Sequence, residues 1–466
     1  MAKSAVWFLW VLASLALASV LGYELLAQPQ KPHFLPGEST VGHYQIELSC
    51  GTCHTESFSD REAIQAACMD CHGDELKAVR DSHPKSKFTD PRNANRLANI
   101  DARYCAACHT EHALEITNDM GVTQPKDFCL HCHQDIAEDR PSHEGMAFDT
   151  CASSGCHNYH DNQALYEDFL LAHAHEPDLL SEPGMPTDGL ARMMALAGIE
   201  AQPFDGRKPV EVDSDTWQDV HAEWSASAHG EANVGCQNCH QPEDNASWNN
   251  HPDTSVCGTC HQQEQAGFLA GKHGMRLAQE LSAMTPRQAR QPMKESAAHR
   301  ELTCNSCHAP HRQDTVAAAV DACVGCHDDE HTLAFEGSPH HQTWTDFLAG
   351  GRPREQAVSC ASCHLPRLES QYQGEAVILV QHNQNATLRP NEKMVRGTCL
   401  NCHGLEFSLD ALASPELIRS NFSGPPEHHV PSIDMALARE NPGVIQPGTT
   451  QEQLPNSDKT QKGERP

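Results

Sequence analysis

The chain has 466 residues, with 33 Lys and Arg against 63 Asp and Glu, a formal charge of −30 with histidine neutral. A surface that acidic repels phosphate backbones, which excludes nucleic acid as a partner. An ordinary globular enzyme with incidental thiols is excluded too, because every one of the 22 cysteines belongs to a Cys…Cys-His unit.

In chain order, Lys3 precedes an uncharged run from Ala5 to Tyr23. It is longer than the roughly 7–15 residues of a signal h-region and close to the ~20 of a membrane span. No clean small-x-small cleavage site follows. Residues 1–28 therefore predict a signal anchor whose transmembrane helix, residues 5–23, holds the protein on the periplasmic side of the inner membrane. The alternative is a cleaved signal peptide and a soluble periplasmic protein. Both export the chain.

The units then follow. The first two are Cys50, Cys53 and His54, then Cys68, Cys71 and His72. The third and fourth are Cys105, Cys108 and His109, then Cys129, Cys132 and His133, and the fifth is Cys151, Cys156 and His157. After a gap come Cys236, Cys239 and His240; Cys257, Cys260 and His261; and Cys304, Cys307 and His308. The last three are Cys323, Cys326 and His327; Cys360, Cys363 and His364; and Cys399, Cys402 and His403. Ten are C-x-x-C-H and the fifth is C-x-x-x-x-C-H, whereas random placement of 22 Cys and 32 His gives far fewer than one. C-x-x-C-H is the c-type haem attachment signature. Disulfides, the default in an oxidising compartment, do not explain the following histidine, and zinc sites do not require it. The pattern predicts eleven covalently bound haem c groups. Each Cys pair would form thioethers, and the adjacent histidine would be the proximal ligand to iron.

Eleven proximal histidines leave 21 others, enough to give each iron a second imidazole. The candidate distal ligands are His43, His83, His112, His143, His160, His173, His229, His251, His273, His299, His311, His331, His340 and His382. His112, His160 and His311 follow a proximal histidine by three positions and His331 by four, so each is better placed for a neighbouring haem than for its own. His175 is an alternative to His173, and His382 is a candidate for one of the last two haems. His131, His33, His428 and His429 are read as non-ligating. The spacing also repeats: His43 to His83, His229 to His273 and His299 to His340 each enclose two units, and Cys105 to His143 is a looser copy. Four doubled and three single units make the eleven.

With about 42 residues for each haem, the cofactors must supply much of the buried apolar surface. The expected fold is a multihaem cytochrome, mainly α-helical and irregular with little β, packed around haem. Residues 29–176 form a pentahaem cytochrome domain. Residues 177–216, with Pro177, Pro183, Pro186, Pro203 and Pro209, read as a Pro-rich linker containing one helix with apolar spacing. Residues 217–412 form a hexahaem domain whose one strand-like run is Ala376 to Val380. Residues 413–466 read as a polar, disordered tail.

At motif level residues 43–403 resemble the multihaem c-type cytochromes. The amino-terminal part, with doubled units and CASSGCH, is similar to class III cytochrome c. The carboxy-terminal part, with SAHGEANVGCQNCH and VDACVGCHDDEH followed by SPHH, is similar to the hydroxylamine oxidoreductase and octahaem tetrathionate reductase superfamily. The resemblance implies closely packed, mostly bis-histidine haems. The chain departs from it in having no C-x-x-C-Lys unit and no tyrosine after Tyr372.

These readings favour a non-catalytic electron carrier. It would pass electrons between a membrane quinol-oxidising or dehydrogenase partner and a periplasmic acceptor through basic docking patches on those partners. The alternative is an oxidoreductase acting on a small nitrogen or sulfur oxyanion at one open iron, with its catalytic residues unknown. A polymerising wire is disfavoured by the membrane tether.

Overall fold

The computed structural model describes residues 2–27, 35–56, 59–98, 100–125, 127–139, 143, 158–161, 165, 167–242, 247–388 and 393–440. The fifth unit, with Cys151, Cys156 and His157, lies outside the described residues.

Helix α1 (Ala2–Ala27) is long and apolar enough to cross a membrane, and none of that span is buried against the rest of the chain. The remaining helices are short apart from α2 (Arg61–Ala78), which carries the second unit. Asp60 caps α2 by accepting a hydrogen bond from the Ala63 amide, and Lys77 sits in its last turn. Short helices are marginal alone, so packing must hold them. The strand-like run forms a hairpin: Arg367–Tyr372 pairs antiparallel with Glu375–Val380, from Arg367 opposite Val380 to Tyr372 opposite Glu375. Its tip, Gln373 and Gly374, has positive φ at both residues, as a tight two-residue turn requires.

The apolar cores are unevenly placed. All three buried clusters lie beyond residue 164. Between residues 35 and 161 the described apolar side chains that are buried are Ile46 and Ala67. That half is mainly short helices and turns without an apolar cluster among its described residues, which fits a fold organised around its cofactors.

The segment expected to be a linker is packed. Helix α3 (Glu167–Ala172) puts Leu170 into a cluster with Val395, Leu405, Leu409, Val430 and Ile433, so this core spans both sides of the expected boundary at 176. The amides of Leu180, Gly184 and Gly189 then donate to the carbonyls of Cys402, Asn401 and Ile378. Met193 of helix α4 (Leu190–Ala197) is fully buried against Val377 and Leu379 of the hairpin.

The expectation of a disordered tail from 413 is corrected for its first part. Residues 415–419 and 432–440 are helices, α5 (Pro415–Arg419) and α6 (Ser432–Glu440), with Leu417, Val430, Ile433 and Ala436 buried. Ser414 caps α5. Residues 441–466 lie outside the described residues.

Candidate haem centres

Each described Cys…Cys-His unit is one turn of helix. The amide of the histidine donates to the carbonyl of the first cysteine, from His54 to Cys50 at 2.8 Å through to His403 to Cys399 at 2.8 Å. That bond brings positions i, i+3 and i+4 to one face. Two thiols and an imidazole therefore project together, which is what two thioethers and an axial ligand need. Among the described residues no cysteines are joined by a disulfide. The fifth unit's ligand set, Cys151, Cys156 and His157, remains an expectation from sequence.

Imidazole nitrogen sits about 2 Å from a first-row metal ion, so two imidazoles on opposite faces of one iron hold their ring centres roughly 6 Å apart. Nine of the proximal histidines meet a second histidine at that separation. In the amino-terminal half the pairs are His72 with His43 (5.9 Å), His133 with His83 (6.1 Å) and His109 with His160 (6.2 Å). In the other half His261 meets His229 (5.9 Å), His240 meets His311 (5.9 Å) and His327 meets His273 (6.3 Å). His308 meets His382 (6.4 Å), His364 meets His331 (5.9 Å) and His403 meets His340 (6.3 Å). His382 thus faces the eighth unit instead of one of the last two, because the hairpin carries it back toward His308.

Eight of these eighteen histidines have Nδ1 bonded to a backbone carbonyl or a carboxylate. Nδ1 of His83, His109, His240, His382 and His403 bonds the carbonyls of Tyr159, Gly121, Asn249, Val380 and Asp178, and that of His331 bonds the carbonyl of Ile418, while the Asn421 amide lies 3.4 Å from its Nε2. Nδ1 of His43 and His160 bonds the carboxylates of Glu111 (2.6 Å) and Asp81 (3.1 Å). A carbonyl or carboxylate partner fixes the proton on Nδ1 and leaves the Nε2 lone pair for a metal. Burial holds His273, His308, His340 and His364 down to about 4, which keeps them in the neutral, ligating form. The donor set and spacing fit haem iron.

Other candidates are not brought to a proximal histidine. His251, His299 and His175 are exposed, and His173 bonds Glu176 and packs at a tilt against Phe169. His143 is half-buried, and most of its chain neighbours lie outside the described residues. His54 is the one described proximal histidine without a histidine ring beside it. His429 uses both nitrogens on Asp410 and Asp434. Residues that sequence reasoning missed also line the centres: Trp248 stacks on His240 at 4.6 Å, Phe407 on His403 at 4.7 Å, and Tyr159 on His83 at 4.1 Å. Trp248 lies three positions before His251, so the aromatic residue and not the candidate histidine reaches the site.

The units also neighbour one another electrostatically in chain order. The thiols of Cys68 and Cys105 are close electrostatic neighbours, as are Cys257 with Cys304 and Cys323 with Cys360. The intervening steps are electrostatic neighbours. Cys53 lies beside Cys71, and Cys239 beside both Cys257 and Cys260. Cys307 lies beside both Cys323 and Cys326, and Cys363 beside Cys399. Cys326 is the buried member of its pair. Tyr159 lies beside Cys108 of the third unit and Cys129 and Cys132 of the fourth. Units six to eleven form an unbroken run.

Helical-turn Cys…Cys-His units facing second imidazoles are what a multihaem c-type cytochrome requires, a class that implies covalent haem c and electron transfer. Residues 42–134 and 228–328 each match the family model for cytochrome c3. Residues 228–328, which hold part of the carboxy-terminal stretch likened above to hydroxylamine oxidoreductase, thus match the same family model as the amino-terminal region. No curated protein sequence matches the chain. Each matched region holds four units, so the repeat is a four-unit module and not the doublet read from the sequence. The ring pairs correspond. His43 with His72 matches His229 with His261, His83 with His133 matches His273 with His327, and His109 with His160 matches His308 with His382. The doublet led by His299 is the second half of a module, which accounts for His299 standing exposed.

Proposed function

We propose that the protein is a membrane-anchored periplasmic electron conduit of eleven haems. It carries electrons between a quinol-oxidising or dehydrogenase partner in the membrane and a periplasmic acceptor. The observation that carries this reading is the set of nine facing histidine pairs on units that adjoin in sequence order. Bound haem supplies one-electron iron chemistry. Bound between the paired imidazoles, haem iron would be held from both sides with no position left for substrate, and such ligation favours low potential. The cysteine pairs would hold each haem through two thioethers, and their adjacency would bring neighbouring haems close enough for electron passage.

His112 would supply the first centre with its second imidazole. It stands three residues after His109, as His311 stands after His308, and both take the rare positive φ (61° and 65°). His112 Nδ1 bonds the Gly37 carbonyl at 3.0 Å, leaving Nε2 free. Helix α1 supplies the tether. The acidic surface selects partners with basic docking patches.

A second reading, reduction or oxidation of a small nitrogen or sulfur oxyanion at an open iron, is favoured only by His54, which has no imidazole beside it. Steady-state assays of the purified protein with nitrite, hydroxylamine, tetrathionate and sulfite separate the two: the conduit reading expects no turnover, and turnover with any of them would replace it.

A further inference from the structure

We infer that electrons cross between the two four-unit modules at two centres, one held by His43 with His72 and the other by His273 with His327. They would thus enter the six-unit carboxy-terminal line at its fourth member instead of at either end. This rests on the conduit reading.

The crossing is where the modules are fastened. Lys272, next to His273, donates to the carbonyls of Val41 (2.8 Å) and Gly42 (2.5 Å), next to His43. Arg276, itself buried, donates to the Gln45 carbonyl at 2.8 Å. Arg290 donates to the Ser39 carbonyl at 2.8 Å, lies near Glu47 and covers the Tyr44 ring at 4.6 Å. Thr52, inside the first unit, donates to Gln279 at 2.7 Å. On the proximal side of the same centre, Glu75 lies 3.9 Å from His72 and pairs with Lys393.

These contacts from residues 35–161 to the later chain converge on Lys272, Arg276, Gln279, Arg290 and Lys393. Four of the five lie between units seven and eight, on the segment that delivers His273 to unit nine. In a chain of net charge −30, four cations are gathered at one seam. They hydrogen-bond backbone carbonyls and offset the carboxylates Glu47 and Glu75 across two acidic modules that would otherwise repel each other. The route that these contacts favour therefore departs from the order of the sequence, in which unit six would follow unit five. The line branches at unit nine, with units six to eight on one arm and ten and eleven on the other.

The test uses the full-length, haem-loaded protein with a photosensitiser tethered at Glu115→Cys on the first module. Two variants place a spectroscopic reporter, His273→Met and His311→Met, since methionine ligation raises potential and gives an absorption that a bis-histidine site lacks. After a flash, reduction of the His273→Met reporter is expected several-fold sooner than that of the His311→Met reporter. Equal or reversed order overturns the junction while leaving the conduit intact. No electron passage from the first module overturns the conduit and the junction together. Should methionine fail to ligate, a double variant, Lys272→Gln with Arg276→Gln, decides. Slowing of the intermodule phase with unchanged low-spin spectra supports the junction, and an unchanged phase overturns it.

Discussion

A histidine becomes a good iron ligand when its second nitrogen has a partner, and the partner's charge tunes the metal. Glu111 is the clearest case. Burial works against its ionised form, yet hydrogen bonds from His43 and Thr40 hold its carboxyl down at about 2, so it stays charged beside the ring. A carboxylate there makes His43 a stronger donor and favours ferric iron. Glu111→Gln should raise the midpoint potential of one centre, by about 59 mV for each tenfold of one-electron equilibrium. Spectroelectrochemical titration reads this, and a superimposable titration would remove Glu111 from the account. The proximal residues were legible in the sequence because C-x-x-C-H is local. The distal pairs were not, since His382 lies 74 positions from His308 and only the hairpin closes that gap.

At the scale of elements, the carboxy-terminal helices form a cap on the core that α3 shares with Leu405 and Leu409. Ile433→Ala should lower unfolding free energy by about 2–5 kcal/mol, as removal of a fully buried Ile side chain does; a guanidinium midpoint unchanged from wild type would mean the cap is not folded in solution. His429 joins the same cap. Its hydrogen bonds to Asp434 and Asp410 raise its pKa above 6.5. Its contribution is therefore complete below the unfolded imidazole value and is lost as pH rises through the raised folded value. Thermal melts from about pH 5 to 9 should show this loss, and His429→Gln should remove that component; identical profiles would dismiss it. This region was illegible because Pro425, Pro426 and the flanking charges obscure the spacing of Leu417, Val430 and Ile433. Helix spacing in GLARMMALAGI, by contrast, was readable, since eight of its residues form α4 around buried Met193.

For the whole molecule, two four-unit modules and the further units are assembled within an acidic shell. A redox partner that docks through basic patches should associate more slowly as salt rises, because steering charges are screened beyond a Debye length of about 10 Å at 0.1 M. Stopped-flow rates independent of ionic strength would argue for an apolar docking face instead. The module itself was half-visible in the sequence, as the His–unit–unit–His doublet. Its true size depends on His160 and His382 reaching back to the third and eighth units from beyond the matched regions, a long-range closure that spacing alone cannot reveal.

The central claim is that every iron is held between two imidazoles and none is open to substrate. Low-temperature magnetic circular dichroism of the fully reduced, full-length protein, with iron counted against protein, tests it most directly. Eleven irons per chain and low-spin ferrous signals only are expected. A five-coordinate, high-spin ferrous signal would contradict it.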